Sequence, residues 1–302
     1  MSSHPCKEES VAFIGLGVMG YPMAGHLARQ GCRVTVFNRD VSKSERWHSQ
    51  YQAEVAQPLR TAPTPAEAAE GADVVFMCVG NDDDVRAVSY GDTGVLARMS
   101  PGSLLVDHTT ASQELALELA EQAGRSDIGF LDAPVSGGQA GAENGALTVM
   151  AGGHIEDFTR CKPLFDCYAR KAALLGPTGA GQLTKMVNQI CIAGILQGLA
   201  EGVHFAQRAD LDVEQVVDVI SAGAAQSWQM DNRAATMARD EFDFGFAVNW
   251  MRKDLGIALR TGDGLGARLP LTALVDQFYA DVQALGGGRW DTSSLLRRFT
   301  QD

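Results

Sequence analysis

The sequence VAFIGLGVMG, which occupies residues 11–20, decides the predicted fold. Its apolar start predicts a short strand, and residues 18–30 predict a helix directly behind it. Between them, the run Gly15-Leu16-Gly17-Val18-Met19-Gly20 has the glycine spacing of a dinucleotide-binding turn. The first glycine permits the tight turn, the second leaves room for a pyrophosphate, and the third lets helix and strand approach closely. These six residues are therefore predicted cofactor contacts; the alternative is a tight strand–helix turn that binds nothing.

Strand and helix patterns alternate after this turn. Apolar runs typical of buried strands recur, at residues 33–37, 73–79, 103–107, 130–135, 146–151 and 172–175. Helical patterns separate several of them, at residues 66–71, 83–88 and 112–123. Such alternation is typical of a parallel sheet with helices on both faces. We therefore predict a parallel-rich, doubly wound α/β Rossmann domain over residues 11–178, after a flexible tail at residues 1–10.

Helical periodicity dominates the rest of the chain. The helical segments predicted there are residues 182–209, 213–223, 248–261, 271–285 and 293–300. They predict an all-α domain over residues 179–302 for substrate binding and oligomerisation, and a long helix that links it to the first domain. In that long helix Gly194, Gly198 and Gly202 recur every four residues, which permits close approach of another helix, most often one of the same chain. Leu271, Leu274, Phe278 and Leu295 lie on apolar faces of the later helices, which are expected to form an additional contact surface.

Composition limits the classes of partner. The 302-residue chain has a formal net charge of -12, which argues against nucleic acid and anionic membranes because both require a basic face. The apolar run at residues 190–200 is interrupted and too short to span a bilayer. The six cysteines have neither CxxC spacing nor a histidine at zinc-finger distance, so we expect reduced thiols and no metal site. Residues 1–10 have no signal- or transit-peptide pattern, and we expect a cytoplasmic protein.

The end of the second strand predicts which dinucleotide binds. An acidic residue there usually holds the ribose hydroxyls of NAD. This chain has Asn38 and Arg39 instead, and an arginine can grip the 2′-phosphate of NADP with its planar fork. Asp40 is the competing candidate, because it could turn toward the ribose, although Lys43 partly offsets its charge. NADP is therefore predicted, with NAD as the alternative, and the alternative role for Arg39 is a solvated surface charge.

Other candidate residues follow later strands of the predicted sheet. Ser136, Gly137 and Gly138 follow the strand at residues 130–135, and such a glycine-rich loop presents N–H groups and a hydroxyl to an anion. Val79 and Thr110 follow two other strands, at the carboxyl edge where ligands collect in open α/β sheets. We predict that the loop binds an anion, that Val79 contacts the cofactor and that Thr110 contacts a ligand at this edge; the alternative for the loop is a simple flexible connection.

Lys185 is the predicted catalytic residue. A glycine-rich turn at residues 176–181 opens a helix, and Lys185 lies on its first full turn within an apolar run. Desolvation lowers the pKa of a lysine, which suits a proton donor that works near neutral pH. Asn188, three residues later, shares its helical face, and we expect Lys185 to lie between the two domains. The alternative is a lysine that extends its ammonium group to water from a partly buried helix.

These motifs resemble, in their order and spacing, the β-hydroxyacid dehydrogenase family. That family includes 3-hydroxyisobutyrate dehydrogenase, tartronate semialdehyde reductase and the glyoxylate/succinic semialdehyde reductases. The resemblance covers residues 11–299 and rests on residues 13–20, 132–138, 176–188 and 253–255. It implies reversible hydride transfer between NADP and a small 3-hydroxy acid or its semialdehyde, and it implies a homodimer or homotetramer.

The resemblance also implies roles for single residues. Lys185 would transfer the proton, Ser136, Gly137 and Gly138 would contact the substrate carboxylate, Thr110 would contact the nicotinamide side of the cofactor, and Lys253 would reach the cofactor. Many members have an asparagine four residues after the lysine, where this chain has Gln189. Asn188 and Gln189 therefore both stay open as the amide that orients the substrate.

Trp228 and Phe246 are predicted walls of the substrate pocket, with Phe244 as a further candidate. Three other functions remain. An imine-reducing relative would use a different proton donor in place of Lys185, and a non-catalytic NADP-binding module would be expected to lose that lysine. The chain is too short for the large helical domain of 6-phosphogluconate dehydrogenase.

Overall fold

The computed structural model describes residues 9–299. Its strands are β1 (Ser10–Ile14), β2 (Arg33–Phe37), β3 (Arg60–Thr61), β4 (Val74–Met77), β5 (Leu104–Asp107), β6 (Gly129–Asp132), β7 (Val135–Ser136), β8 (Leu147–Gly153) and β9 (Ala169–Leu174). Its α-helices are α1 (Gly20–Arg29), α2 (Val41–Gln52), α3 (Pro65–Ala69), α4 (Asp82–Ser89), α5 (Gln113–Gly124), α6 (Gly138–Glu143), α7 (Ile155–Phe165), α8 (Ala180–Arg208), α9 (Val213–Ile220), α10 (Trp228–Ala238), α11 (Val248–Leu265) and α12 (Pro270–Ala284).

The strands form one sheet in the order β3-β2-β1-β4-β5-β6-β8-β7, and β9 also pairs with β8. Neighbouring strands from β3 to β6 are parallel. β8 runs antiparallel to β6 and β7 and parallel to β9. The predicted fold class, a parallel-rich doubly wound sheet followed by a helical region, is confirmed.

The central strands are apolar along their whole length because helices cover both faces of the sheet. Alternate residues of β1 show this directly. Val11 and Phe13 pack into one core with side chains of α1, α2 and α7, whereas Ala12 and Ile14 pack into another with side chains of α3, α4 and α5. The strand ends that carry the candidate site are therefore held between two packed layers.

The chain divides into two compact units between Lys185 and Met186, within α8. The division predicted from the sequence, between residues 178 and 179, lies close to the start of this helix. The core of the second unit joins buried side chains of α8, including Leu196 and Val203, with Met251 of α11 and Tyr279 of α12. By length and composition α8 could cross a membrane, but such core helices of soluble proteins pass the same test.

Some predicted elements differ from the structure. Residues 130–135 form two strands, β6 and β7, because Pro134 lacks the N–H that a continuous strand would need. The final helix is a 3-10 helix, Thr292–Arg298, and Thr300 lies outside the described residues. β1 begins at Ser10, and the rest of the predicted tail, residues 1–8, lies outside the described residues. α2, α6, α7, α10 and β3 were not predicted, since their apolar patterns are weak or short.

Two expectations about packing were also wrong. A Cβ on Gly198 or Gly202 would meet no atom of the described residues within 4 Å, so these glycines do not serve a helix contact within the chain. Only Gly194 approaches a neighbour, the side chain of Leu271, at 3.2 Å from the position of a Cβ. Leu295 is completely buried in the core of the second unit and cannot contribute to a surface.

Candidate active site

The turn between β1 and α1 has the geometry of a phosphate-binding turn. Gly15 has a φ of +97°, and a Cβ there would collide with the carbonyl group of Cys78. A Cβ on Gly20 would collide with the carbonyl oxygen of Gly15 and lie 2.9 Å from the ring of Phe13. By contrast, a Cβ on Gly17 would meet no atom of the described residues within 4 Å. The turn is therefore closed by its outer glycines and open at the central one, as a bound pyrophosphate requires.

Asn38 connects this turn to the end of β2. Its Oδ1 accepts a hydrogen bond of 2.9 Å from the backbone N–H of Leu16, and its Nδ2 donates one of 3.1 Å to the carbonyl oxygen of Asp40. The Asp40 carboxylate caps α2 by accepting hydrogen bonds from the backbone N–H and hydroxyl of Ser42, and the hydroxyl contact lowers the pKa of Asp40. Arg39 remains 91% exposed, 3.6 Å from the carboxylate of Asp84. Asp40 is thus engaged as a helix cap and not turned toward a ribose, whereas the guanidinium group of Arg39 is exposed where a ligand phosphate could reach it.

The ends of β4 and β5 are joined through Thr109. Its hydroxyl oxygen accepts a hydrogen bond of 3.0 Å from the N–H of Val79, and its own N–H donates to Oδ1 of Asp107 at 2.9 Å. Thr110, the predicted nicotinamide contact, follows directly and is half-buried. Val79 and the Thr110 loop therefore form one hydrogen-bonded edge.

Buried acids line this edge of the sheet. Asp107 and Asp132 end neighbouring strands and lie opposite each other in the register. Burial raises the pKa of Asp107 to about 7 and that of Asp132 to about 6. His108, which directly follows Asp107, is also buried, and burial lowers its pKa to about 4. The carbonyl oxygen of Ala133 can only accept, so Nδ1 of His108 carries the proton and Nε2 accepts from the Tyr168 hydroxyl at 2.8 Å.

Lys185 lies beside the predicted substrate loop. Only 6% of the residue is exposed, and Nζ donates a hydrogen bond of 2.9 Å to the carbonyl oxygen of Val135. The ammonium group therefore does not extend to bulk water, and that alternative is wrong. Val135 and Ser136 form β7, and the two glycines that follow have φ values of +132° and +63°. Within the first unit, the structure thus brings Lys185 next to the Ser136-Gly137-Gly138 loop.

The candidate amides lie just beyond, in the second unit. Gln189 is buried, and its Nε2 donates a hydrogen bond of 2.6 Å to Asp254. Its Oε1 accepts one of 2.8 Å from Nδ2 of Asn188. Lys253, the predicted cofactor contact, forms an ion pair of 3.1 Å with the same Asp254. Both ends of the Gln189 amide and the Nδ2 of Asn188 thus make hydrogen bonds, and both residues stay candidates for the amide that orients a substrate.

Trp228 and Phe246 belong to a cluster around Arg233 in the second unit. The guanidinium carbon of Arg233 lies 4.9 Å from the ring centroids of both Trp228 and Phe244. Nε of Arg233 donates to the buried Asp291 at 3.1 Å, and the N–H of Phe246 donates to the same carboxylate at 3.0 Å. Trp228 is 50% exposed, so its free surface suits a pocket wall.

Asp132 and Gln182 were not predicted as site residues. The carboxylate of Asp132 accepts hydrogen bonds from the N–H groups of Gly179 and Gln182, where α8 starts. A polar residue that ends a buried strand, and a glutamine in the first turn of an apolar helix, were the available signals. Within residues 9–299, no cluster of three His, Cys, Asp or Glu side chains has the geometry of a metal site.

The sheet and the open glycine turn define an NAD(P)-binding α/β protein with a helical second unit. Residues 10–176 match the family described as the NAD binding domain of 6-phosphogluconate dehydrogenase. Residues 179–299 match the family described as NAD-binding of NADP-dependent 3-hydroxyisobutyrate dehydrogenase.

Whole-length relatives agree with these two matches. The chain is 61% identical to an "uncharacterized oxidoreductase" of Shewanella frigidimarina over 95% of this chain and 97% of the relative. It is 41% identical to the "Probable 3-hydroxyisobutyrate dehydrogenase-like 1, mitochondrial" of Arabidopsis thaliana, and the match covers 95% of this chain and 84% of that relative. The solved structure of Mycobacterium tuberculosis 3-hydroxyisobutyrate dehydrogenase with L-serine covers 97% of this chain and 99% of its own, with a TM-score of 0.85 and 29% identity. The chain belongs to the 3-hydroxyisobutyrate dehydrogenase family of NAD(P)-dependent hydroxyacid oxidoreductases.

Proposed function

We propose that the protein catalyses reversible hydride transfer between NADP(H) and a small 3-hydroxy acid or its semialdehyde, with Lys185 as the proton donor and acceptor. One observation carries this proposal: the buried ammonium group of Lys185 lies 2.9 Å from the carbonyl oxygen of Val135, directly beside the Ser136–Gly138 loop. An anion-binding loop beside a buried lysine can hold the substrate carboxylate while the ammonium group exchanges a proton with the reacting hydroxyl or carbonyl oxygen of the same substrate.

The dinucleotide would be held by the first unit. The turn at residues 15–20 would contact the pyrophosphate, Val79 and Thr110 would line the nicotinamide side, and Lys253 would add a contact from α11. The exposed Arg39, together with an Asp40 carboxylate already engaged with Ser42, supports NADP over NAD. When bound, this cofactor supplies or accepts the hydride.

The protein's own residues would orient the substrate and move the proton. The N–H groups and hydroxyl of the Ser136–Gly138 loop would bind the substrate carboxylate, and one of the two candidate amides would orient the reacting oxygen. Lys185 would donate its proton to that oxygen during reduction and remove it during oxidation, while its charge stabilises the developing alkoxide. The M. tuberculosis relative was solved with L-serine, which is itself a 3-hydroxy acid, and this supports the substrate class. Trp228 and Phe246 would set the size of the group accepted.

A substrate panel tests this function. Small 3-hydroxy acids, including 3-hydroxyisobutyrate and L-serine, are incubated with NADP, and the matching semialdehydes with NADPH. We expect NADPH absorbance to change with at least one member and with NADP in preference to NAD. Turnover of imines alone would contradict the proposal, as would NADPH binding without turnover of any member.

We also propose that the protein is a homo-oligomer of the cytoplasm. The glycines at 198 and 202 leave one side of α8 open, and Ile195 and Phe205 on this helix are 42% and 72% exposed, as are Leu271 and Leu274 of α12 at 54% and 50%. The cysteines within residues 9–299 form no disulfide bond, which suits a reducing compartment. Light scattering should report at least twice the chain mass of 32.2 kDa, and a monomer would contradict the oligomer.

A further inference from the structure

The start of α8 is anchored to the edge of the sheet by Asp132. This residue ends β6 and is completely buried. Its Oδ1 accepts a hydrogen bond of 2.7 Å from the N–H of Gly179, and its Oδ2 accepts one of 2.8 Å from the N–H of Gln182. A helix leaves the N–H groups of its first turn without internal partners, so a carboxylate from the neighbouring strand both satisfies these donors and complements the helix dipole.

The side chain of Gln182 links the same helix turn to the loop after β5. Gln182 is completely buried. Its Oε1 accepts a hydrogen bond of 3.0 Å from the N–H of Ala111, and its Nε2 donates one of 2.8 Å to the carbonyl oxygen of Thr109. These two bonds enclose Thr110. A single side-chain amide thus fixes the loop that carries the predicted nicotinamide contact.

Lys185 lies close to the start of α8, which the hydrogen bonds of Asp132 and Gln182 hold in place. It follows Gln182 by three residues, so the two side chains leave the same side of α8 one turn apart. Close packing prevents the helix start from shifting. A Cβ on Gly152 would lie 2.8 Å from the backbone nitrogens of both Ala180 and Gly181, and a Cβ on Gly181 would collide with the carbonyl oxygen of Asp132. The position of the lysine therefore depends on where the first turn of α8 is held.

We propose that Asp132 and Gln182 are positioning residues, which fix the amino group of Lys185 relative to the Thr109–Ala111 loop and so set the geometry between proton donor and cofactor. This inference rests on the proposed function. Gln182 contributes the decisive part, because it joins its side-chain hydrogen bonds to the loop with a backbone hydrogen bond to Asp132. If Gln182 only stabilised the fold, its substitution would change the free energy of unfolding but not the position of the Lys185 amino group relative to the Thr109–Ala111 loop.

Two variants at Gln182 test the role. Gln182→Met keeps the approximate volume and removes both side-chain hydrogen bonds. Gln182→Glu keeps an acceptor for Ala111 but faces the carbonyl oxygen of Thr109 with a second oxygen. Because a displacement of about 1 Å can lower turnover about 100-fold, we expect both variants to lower kcat roughly 10- to 100-fold while the Kd for NADPH changes less than about twofold. If Gln182→Met does not fold, Gln182→Glu carries the test.

Gln197→Met is the matched control. Gln197 is another buried glutamine of α8, and its Nε2 donates to Glu201 within the second unit. We expect this variant to keep the kcat of the parent protein, even where it loses a similar amount of stability. An equal loss of kcat in Gln182→Met and Gln197→Met would overturn the inference, because it would show that turnover follows stability alone.

A labelling measurement separates this inference from the proposed function. Acetic anhydride is added to the full-length protein at a low ratio, and mass spectrometry compares the acetylation of Lys185 with that of the exposed Lys171. We expect Gln182→Met to raise the relative labelling of Lys185 at least about fivefold, and Gln197→Met to leave it unchanged. This result would support the positioning role even if no substrate of the panel were turned over. Unchanged labelling of Lys185 in both Gln182 variants would overturn the role.

Discussion

The two glycine-rich turns of the first unit need glycine for different physical reasons. In the first turn, Gly17 has no positive φ and would have free space around a Cβ, so the protein itself does not require glycine there. In the second turn, Gly138 also has free space, but its φ of +63° is one that side-chain-bearing residues rarely adopt. The first position is thus kept open for a ligand, and the second is set by the backbone. The same substitution, glycine to alanine, should therefore damage binding in one turn and stability in the other.

Gly17→Ala should have the largest effect on cofactor binding. The added methyl group would occupy the space left for the pyrophosphate, and such overpacking costs about 3 kcal/mol, which is roughly a 150-fold rise in Kd. The free energy of unfolding should stay within about 0.5 kcal/mol of the parent value, as for other surface substitutions. Fluorescence titration with NADPH and urea unfolding measure the two quantities. Gly124→Ala, which also has free space but ends α5, is the control; equal Kd values for all three proteins would refute the role of Gly17.

Arg39→Ala tests the predicted contact with the 2′-phosphate of NADP, whereas Gly17→Ala tests the contact with the pyrophosphate. Loss of a hydrogen bond to a charged group costs about 1.5–3 kcal/mol, so the Kd for NADPH should rise while that for NADH stays nearly constant. Arg46→Ala, at an exposed arginine of α2, should change neither value. If both cofactors lost equal affinity, or if the parent protein preferred NADH, Arg39 would not select the cofactor.

Gly138→Ala tests the second turn. The left-handed backbone conformation should cost about 1–2 kcal/mol of unfolding free energy once a Cβ is present, while the Kd for NADPH stays unchanged. Gly102, with a φ of +78° and free space, lies in a surface loop outside the site and offers a matched control. Gly102→Ala should lose as much stability but keep full turnover. A loss of NADPH affinity in Gly138→Ala would remove the distinction between the two turns.

Asp107 ends β5 at the same carboxyl edge of the sheet, and its effect on stability depends on pH. Burial raises its pKa from 3.8 to about 7, so the folded protein holds this proton more tightly than the unfolded chain. Its contribution to stability therefore falls as pH rises from about 4 to about 7, by at most about 1.4 kcal/mol per pH unit. Asp107→Asn removes this loss.

Urea unfolding between pH 4 and pH 8 measures the difference between Asp107→Asn and the parent protein. We expect the variant to gain in relative stability up to about pH 7 and no further. For Asp132→Asn the difference should level off earlier, at about pH 6, because burial raises the pKa of Asp132 less. Curves that run parallel at every pH would show that neither carboxyl group is held protonated by the fold.

The sequence predicted the first turn better than the second. The spacing of Gly15, Gly17 and Gly20 indicates a local strand–turn–helix unit. In the structure the first and third of these glycines are closely packed and the second has open space, as the motif requires. The strand over residues 130–135 was instead predicted as continuous, although it breaks at Pro134 and places Ser136, the first residue of the predicted substrate loop, on the separate strand β7. The pairing of β7 with β8 is a contact between segments distant in the chain, which local periodicity does not encode.

The residues of the candidate site also differ in how far the sequence could predict them. Lys185 could be predicted as a candidate because a single lysine in an apolar helix is unusual in the sequence itself. Asp132 and Gln182 could not be assigned their contacts, because they are 50 residues apart in the chain and meet only in the folded unit. The hydrogen bond from Gln189 to Asp254 joins residues 65 positions apart, and the sequence pattern could not predict it either.

The role of Lys185 is the central claim, and turnover of a Lys185→Met variant tests it most directly. Methionine fills a similar volume but cannot exchange a proton, whereas Lys171→Met, at an exposed lysine of β9, serves as the control. With the best substrate of the panel, NADPH absorbance should show kcat lowered by about 10²–10⁴-fold in Lys185→Met, with NADPH affinity kept. Turnover of Lys185→Met at the rate of the parent protein and of Lys171→Met would contradict the account.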